Sequence, residues 1–180
     1  MPQDRPPRTL GATQARNIKA LQLRPQSGTG TATTIARGRT GSVACDITDG
    51  AYRIVSDLGA GQGGGDLGPD PGILMRAGLA ACLVSGYQMW AAYLGITLDE
   101  VEVTIETDYD ARGMYAVDAA IAPGFLGVRA RVRITSGDPP DRIREMVEHA
   151  DRHSPLLYDF TTALDVKREV EIAASGAKGG

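Results

Sequence analysis

The stretch Asp70–Leu94, DPGILMRAGLAACLVSGYQMWAAYL, decides the fold of this chain. Asp70 is a suitable N-cap, and Pro71 fits the first helical position, where the missing N–H costs nothing. Gly95 then follows as the kind of glycine that ends a helix in the left-handed conformation. Almost every position in between is apolar or small, which is typical of a helix buried on all sides. The stretch therefore predicts a buried central helix.

This helix carries a ridge of small residues with a cysteine in its middle. Such a ridge allows another backbone to approach closely, and it is formed by Gly78, Ala81, Cys82, Ser85 and Gly86. The helix is long enough to cross a bilayer. Polar residues such as Arg76 interrupt it, however, and small residues outnumber Leu and Ile. We therefore expect the central helix of a soluble protein, with the Cys82 thiol at its most buried part, and no membrane partner.

Length and composition limit the classes of protein. A chain of 180 residues allows one domain with a real core. The net charge of −3 argues against a nucleic-acid partner, and two cysteines are too few for a disulfide framework. No apolar secretory signal begins the chain, so a cytoplasmic location is expected. We expect a partly disordered N-terminal arm over residues 1–27, one domain over 28–172 and a disordered tail over 173–180.

Residues 28–57 have the pattern of a three-stranded antiparallel meander. Val43, Cys45 and Ile47 alternate with polar or small residues, and Asp49-Gly50 is a strong hairpin turn. The preceding residues 17–26 suit a short strand or a short helix. Residues 58–69 are rich in glycine but lack the GxxxxGK[ST] motif of a phosphate-binding loop. They are predicted to be a flexible crossover to the central helix.

The second half of the chain predicts two more strands, a helix and a last strand. Val101 to Thr107 and Phe125 to Thr135 both alternate, with acidic residues outward on one strand and arginines outward on the other, so cross-strand pairing is expected. Residues 111–124 form a loop or insertion between them. Residues 139–154 have an amphipathic stripe of Ile143, Met146, Val147 and Ala150, and residues 163–173 alternate again. The predicted class is α+β with antiparallel sheets.

Three groups of residues are candidates for chemistry. A cysteine on a buried helix, such as Cys82, is most often a small hydrophobic residue. His149 and His153 have the i, i+4 spacing of metal ligands, but no further ligand motif accompanies them, and an exposed pair is expected. Cys45 lies on the apolar face of its strand, where core packing is expected.

The arrangement resembles the osmotically inducible protein C / organic hydroperoxide resistance (OsmC/Ohr) family over residues 28–172. The strongest similarity is DPGILMRAGLAACL at residues 70–83, which matches the family's NPE-x-L…A-x-AAC helix. ARGRTG at residues 36–41 is similar to the first-hairpin GR-x-G, and LGITLDEVEV follows the helix as its counterpart does in the family. HSP at residues 153–155 stands where the family has a CP pair.

The resemblance implies an OsmC-like fold, an intertwined homodimer, and reduction of organic hydroperoxides by two cysteines without metal or prosthetic group. Cys82 matches the peroxidatic cysteine, and Arg39 matches the arginine that stabilises its thiolate. The chemistry requires this pair because only a thiolate is nucleophilic and a neighbouring cation favours it.

Two positions depart from the family pattern. Ser154 stands at the position of the resolving cysteine, and Gly72 stands at the position of the carboxylate that orients the arginine. A serine cannot close a disulfide, so a peroxidase of this sequence needs an external thiol reductant. Cys45 is not expected to replace the resolving cysteine. The alternative is a non-enzymatic OsmC-fold protein with a stress-related or small-ligand-binding role.

Overall fold

The computed structural model describes residues 9–174. Along these residues the helices and strands follow the order α1 (Leu10–Leu23), β1 (Ile35–Gly38), β2 (Cys45–Asp49), β3 (Tyr52–Ser56), α2 (Pro71–Leu94), β4 (Glu100–Tyr109), α3 (Ala111–Met114), β5 (Phe125–Thr135), α4 (Pro140–Arg152) and α5 (Pro155–Thr161). One antiparallel sheet has the order β1-β2-β3, and the other pairs β4 with β5. The α+β class with antiparallel sheets is confirmed.

The central helix α2 begins and ends where its sequence predicts. The Ile73 amide donates to Asp70 Oδ1 at 2.7 Å, which satisfies one of the free N–H groups of the first turn. Gly95 ends the helix in the left-handed conformation, with φ of 66°. Among residues 9–174, no helix combines the length and the apolar character that a membrane span requires.

Within one chain, α2 is buried along a single stripe. Leu79, Leu83, Tyr87 and Ala91 are buried at four-residue spacing. They form the core together with Ile96, with Met146 and Ala150 of α4, and with the inner faces of β4 and β5. The other faces of α2 stay partly accessible, and Met75 is 50% exposed. The prediction of a helix buried all round is therefore wrong for the single chain.

The β4–β5 pair matches the prediction in register and in charge. Val103 lies opposite Val132 on the inner face, and Glu102 lies opposite Arg133 on the outer face. Arg133 forms an ion pair with Glu102 at 2.7 Å, and Arg129 pairs with Glu106 and with Asp108. The predicted cross-strand pairing of acidic and basic faces is confirmed.

The β1–β3 sheet also has the predicted order, but it is poorly covered. Ile35 and Ile54 are each 43% exposed, and Tyr52 is 78% exposed. The sheet joins α2 at the helix N-terminus, where the Ser56 hydroxyl donates to the Pro69 carbonyl at 2.8 Å. Much of its apolar surface therefore remains accessible in one chain.

Two terminal predictions need correction. The N-terminal arm predicted over residues 1–27 contains α1, which packs on α2 so closely that a Cβ on Gly11 would lie 2.3 Å from the Ala92 carbonyl oxygen. Residues 163–173 form no strand in the described chain. They follow the unpredicted helix α5 as an exposed extended segment. Residues 1–8 and most of the predicted tail, 175–180, lie outside the described residues.

The glycine-rich loop before α2 is tightly held rather than a loose crossover. The buried Asp57 carboxylate accepts the backbone N–H groups of Leu58, Gly65 and Leu67. These bonds, led by the one from Gly65, lower the pKa of Asp57 because they stabilise its charged form. A Cβ on Gly64 would lie 1.8 Å from the Leu58 carbonyl oxygen, so the loop closes on itself only with glycine at that position.

Candidate functional site

Cys82 and Ser154 meet at the junction of α2, α4 and α5. The Sγ atom of Cys82 lies 3.5 Å from Oγ of Ser154, which joins α4 to α5. Ser154 is 6% exposed, whereas Cys82 is partly buried. The fold therefore brings Cys82 directly against Ser154, the residue that the family resemblance matches to the resolving cysteine.

The Ser154 hydroxyl lies within hydrogen-bond distance of the Cys82 sulfur, and either group can be the donor. Its oxygen caps α5 by accepting the Leu157 N–H at 3.4 Å. The hydroxyl proton therefore remains available for Sγ of Cys82. A thiolate or sulfenate at Cys82 accepts hydrogen bonds, and a donor within reach stabilises that charged form.

A buried tyrosine fixes the end of α4 that carries Ser154. The hydroxyl of Tyr87, a residue of α2, donates to Asp151 Oδ1 at 2.7 Å, and the Ser154 N–H donates to the Asp151 carbonyl at 3.2 Å. Burial and the neighbouring Asp151 carboxylate raise the pKa of Tyr87 above its usual value, so the phenol stays protonated as the donor. Tyr87 and Asp151 thus set the position of Ser154 relative to α2.

Helix α5 covers part of the small-residue ridge of α2. A Cβ on Gly78 would lie 3.6 Å from Leu156 Cδ1, which is ordinary contact. Ala81 and Ser85, further around the ridge, remain exposed in the single chain. The ridge is therefore partly covered within the chain and open on the side of these two residues.

Arg39 lies on the β1–β2 hairpin and is held by Asp46. Its Nε and one terminal nitrogen donate to the two carboxylate oxygens at 3.0 and 2.7 Å. This bidentate contact lowers the pKa of Asp46 and raises that of Arg39. The family resemblance assigned the orienting carboxylate to the position of Gly72, which has no side chain to supply it. In the structure Asp46 of the same hairpin orients the Arg39 guanidinium.

Arg39 and Cys82 are not brought together within one chain. The hairpin adjoins the N-terminal end of α2, whereas Cys82 lies about three turns further along the helix. Across residues 9–174, no hydrogen bond or ion pair joins the two side chains.

The remaining candidates lie apart from this site. Cys45 pairs with Ser56 in the sheet register and is a partly buried free thiol. His149 and His153 stack on each other, and Trp90 lies 4.3 Å from the His149 ring. Among the described residues, the Nε2 atom of His149 is buried and has no hydrogen-bond partner, so the expected exposed pair holds only for His153. In the described part of the chain, no group of three or more His, Cys, Asp or Glu could hold a metal ion.

Sequence reasoning missed Asp46, Tyr87 and Asp151. Asp46 could have been found from the hairpin itself, because a turn at Thr40-Gly41 brings the flanking residues of β1 and β2 side by side. Tyr87 and Asp151 gave no comparable signal. Their hydrogen bond joins two helices whose relative placement is not encoded by local spacing.

Comparisons with known proteins agree on one family. A family model described as OsmC-like protein matches residues 63–169, more than half of the chain. No curated protein matches the sequence.

Solved structures share the fold. An OsmC-like protein from Mycoplasma pneumoniae has a TM-score of 0.63 at 15% identity, covering 73% of this chain and 88% of that one. A protein from Legionella pneumophila, described as an organic hydroperoxide resistance protein OsmC, has a TM-score of 0.52 at 28% identity, covering 72% and 89%. An OsmC-like protein of unknown function from Vibrio cholerae has a TM-score of 0.57 at 11% identity, covering 72% and 92%. The chain belongs to the OsmC-like protein family.

Proposed function

We propose that this protein is a thiol-dependent reductase of organic hydroperoxides in which Cys82 is the reacting residue and an external thiol completes the cycle. The observation that carries the proposal is the 3.5 Å contact between Cys82 Sγ and Ser154 Oγ. The contact joins Cys82, which the resemblance matches to the peroxidatic cysteine, to the hydroxyl of Ser154, which it matches to the resolving cysteine. The similarity to the Legionella hydroperoxide resistance protein supports the same chemistry.

The proposed reaction has two halves. The Cys82 thiolate attacks one peroxide oxygen, so an S–O bond forms, the O–O bond breaks and the alcohol leaves after taking a proton. Sulfur is thereby oxidised to a sulfenic acid. Ser154 cannot attack it as a thiol, so an external thiol forms a mixed disulfide with Cys82 and releases water. A second thiol then frees Cys82 and leaves with the first as a disulfide.

The proposed active form is an intertwined homodimer in which Arg39 of a second copy approaches Cys82. One chain leaves Arg39 remote from the thiol, and leaves both the β1–β3 sheet and the Ala81–Ser85 side of α2 accessible. The Asp46 contact holds the guanidinium in one orientation on the hairpin. Light scattering at micromolar concentration is expected to give twice the 18.9 kDa chain mass. A folded monomer alone would contradict this arrangement.

The decisive experiment measures intact mass and turnover. After one equivalent of cumene hydroperoxide, Cys82 is expected to gain one oxygen, about 16 Da, or to form a mixed disulfide when a small thiol is present. Peroxide consumption with a dithiol reductant is expected to be lost in Cys82→Ser and retained in Cys45→Ser. Turnover that survives Cys82→Ser would refute the proposal.

A gain-of-function variant tests the geometry. Ser154→Cys places a second sulfur beside Cys82, within the range from which a disulfide forms after small side-chain adjustment. Peroxide is expected to convert this variant to a form two hydrogens lighter, with both of these thiols protected from alkylation. If only the oxygen adduct appears, the contact does not represent the oxidised state.

The alternative is a non-enzymatic, small-ligand-binding protein of the same fold. It is favoured by the two departures, Ser154 and Gly72, and by an apolar cleft beside Gly72. A Cys82 thiol that stays inert to peroxide at pH 9, with no turnover dependent on it, would favour this second function.

A further inference from the structure

A cleft of about 480 Å³ lies beside the first turns of α2, and Cys82 does not line it. This volume falls within the range of small-molecule sites. The walls are mainly apolar and come from the glycine-rich loop, the start of α2, the end of β4, and the 111–125 segment. The lining includes the side chains of Asp70, Met75, Arg76, Met114 and Phe125.

The outer wall of the cleft is a closely packed segment. A Cβ on Gly113 would lie 2.5 Å from the Ala122 carbonyl oxygen and 2.8 Å from that of Ile121. Residues 111–122 therefore close on themselves only with glycine at position 113. On the opposite side, Asp57 ties the glycine-rich loop through its amides. Both walls are thus fixed by contacts that do not depend on a ligand.

The polar part of the cleft consists of the Arg76 guanidinium and the Asp70 carboxylate, which lie on either side of Gly72. An Arg76 terminal nitrogen donates to Thr107 Oγ1 at 3.3 Å, and Asp70 Oδ1 caps α2. A Cβ on Gly72 would lie 3.2 Å from this Asp70 oxygen and 3.4 Å from an Arg76 nitrogen. A side chain at position 72 would therefore crowd both groups, and glycine leaves this hydrogen-bond acceptor and donor lining the cleft on either side of it. The other charged lining residue, Asp110, is neutralised by Arg112.

We propose that this cleft binds a neutral amphipathic molecule whose head group both donates and accepts a hydrogen bond, such as a medium-chain primary amide or alcohol. The head lies between Asp70 and Arg76, and the apolar chain lies along Met75, Met114 and Phe125. An anionic head meets the Asp70 carboxylate, and a cationic head meets the Arg76 guanidinium, so each charged head is disfavoured by one of the pair. The proposal does not depend on peroxide chemistry, because Cys82 lies outside the cleft.

Titration of the full-length protein with octanamide, octanoate and octylamine, followed by calorimetry and amide NMR, tests the proposal. Octanamide is expected to bind most tightly and to shift the amides of Gly72 and Gly124, which both line the cleft. Tighter binding of octanoate or octylamine, or no binding of octanamide at millimolar concentration, would overturn the proposal. So would binding that leaves these two amides unchanged.

Substitutions separate the two polar contacts. Arg76→Met is expected to weaken octanamide about tenfold or more, through loss of a charged hydrogen-bond donor. Arg131→Met is the matched control, because Arg131 is exposed on β5 outside the cleft. Asp70→Asn preserves a good N-cap while removing the negative charge, so it is expected to shift the preference toward octanoate. An unchanged preference in Asp70→Asn, or equal affinity in Arg76→Met and Arg131→Met, would contradict the head-group placement.

Discussion

The two sheets of this protein differ in what covers them. The β4–β5 pair presents its inner face to α2, and its valines and isoleucines join a core with Leu79 and Met146. The β1–β3 sheet contributes no residue to that core, and Tyr52 and Ile54 stay accessible. The extended segment after α5 is similar, because Val166 is 77% exposed and Ile172 is 91% exposed.

This difference separates a sheet that the chain itself covers from a sheet whose apolar residues it leaves accessible. A small sheet gains most of its stability from burying one apolar face, and a sheet exposed on both faces is marginal in water. Alternating apolar residues in the C-terminal segment fit a strand whose partner is missing from the chain. The proposed dimer accounts for both features, since a second copy would cover the sheet and offer strand edges.

The largest expected loss of stability comes from a substitution in the core that covers the β4–β5 sheet. Leu79→Ala removes a fully buried side chain of α2, and is expected to lower the free energy of unfolding by about 2–5 kcal/mol. Denaturant unfolding at fixed protein concentration measures it. A cost below about 1 kcal/mol would mean that the core relaxes around the site.

Ile54→Ala tests the β1–β3 sheet in the same way. If the β1–β3 sheet is as accessible in solution as in one chain, its cost is expected to be well below that of Leu79→Ala. The homodimer proposal instead expects a substantial cost at high protein concentration that shrinks on dilution, because subunit association contributes less to stability as the concentration falls. Equal, small costs at all concentrations would leave the sheet uncovered and contradict the dimer.

The third prediction concerns the hydrogen bond that holds the end of α4. Tyr87→Phe removes the donor to Asp151 and leaves a partly buried carboxylate oxygen unpaired. The expected destabilisation is about 1–3 kcal/mol. Tyr52→Phe is the matched control, since Tyr52 is 78% exposed and a surface change of this kind typically costs less than about 0.5 kcal/mol. Equal effects of the two substitutions would show that the buried contact contributes nothing specific.

The local signals in the sequence predicted much of this fold. Asp70, Pro71 and Gly95 define α2 because capping and helix termination depend on nearby backbone groups. The same holds for the alternating strands β2 and β4 and for the stripe of α4. The contact between Cys82 and Ser154, by contrast, has no local signal, since spacing alone does not bring residues 72 apart together, and only the family resemblance assigned related roles to the two positions.

The sequence predictions are wrong where long-range packing determines the local structure. Helix α1 buries no residue and has weak amphipathic character, so its formation depends on the close approach of Gly11 to α2. Residues 163–173 alternate as a strand does, yet alternation says nothing about which strand pairs with them. Helix α5 had a visible Ser154-Pro155 start, but it extends only to Thr161, too short for a periodic pattern.

The fourth prediction is a pH dependence from the aromatic cluster on α2 and α4. Burial, with smaller contributions from His153 and Arg152, lowers the pKa of His149 below its usual value. The unfolded chain therefore binds more protons below about pH 6.5, and the free energy of unfolding is expected to fall as pH drops through this range to the lowered pKa. Trp90, the single tryptophan, packs on His149 and reports unfolding by fluorescence. His149→Phe is expected to reduce the slope between pH 7.5 and 5.5, and equal slopes would refute the assignment.

The smallest expected effect is on the outer face of the covered sheet. Glu102 and Arg133 lie opposite each other and form an ion pair at 2.7 Å, but both side chains are more than half exposed. A double-mutant cycle of Glu102→Gln and Arg133→Gln is expected to give a coupling of about 0.2–1 kcal/mol, because solvent screens exposed pairs.

The neighbouring Thr104–Arg131 pair has the same register without opposite charges, so Thr104→Val with Arg131→Gln is the control. In 1 M salt the Debye length falls to about 3 Å, and the Glu102–Arg133 coupling is expected to fall toward that of the control. A coupling well above about 1 kcal/mol that persists in salt would contradict this expectation and mean that the outer face of this sheet is also shielded from solvent.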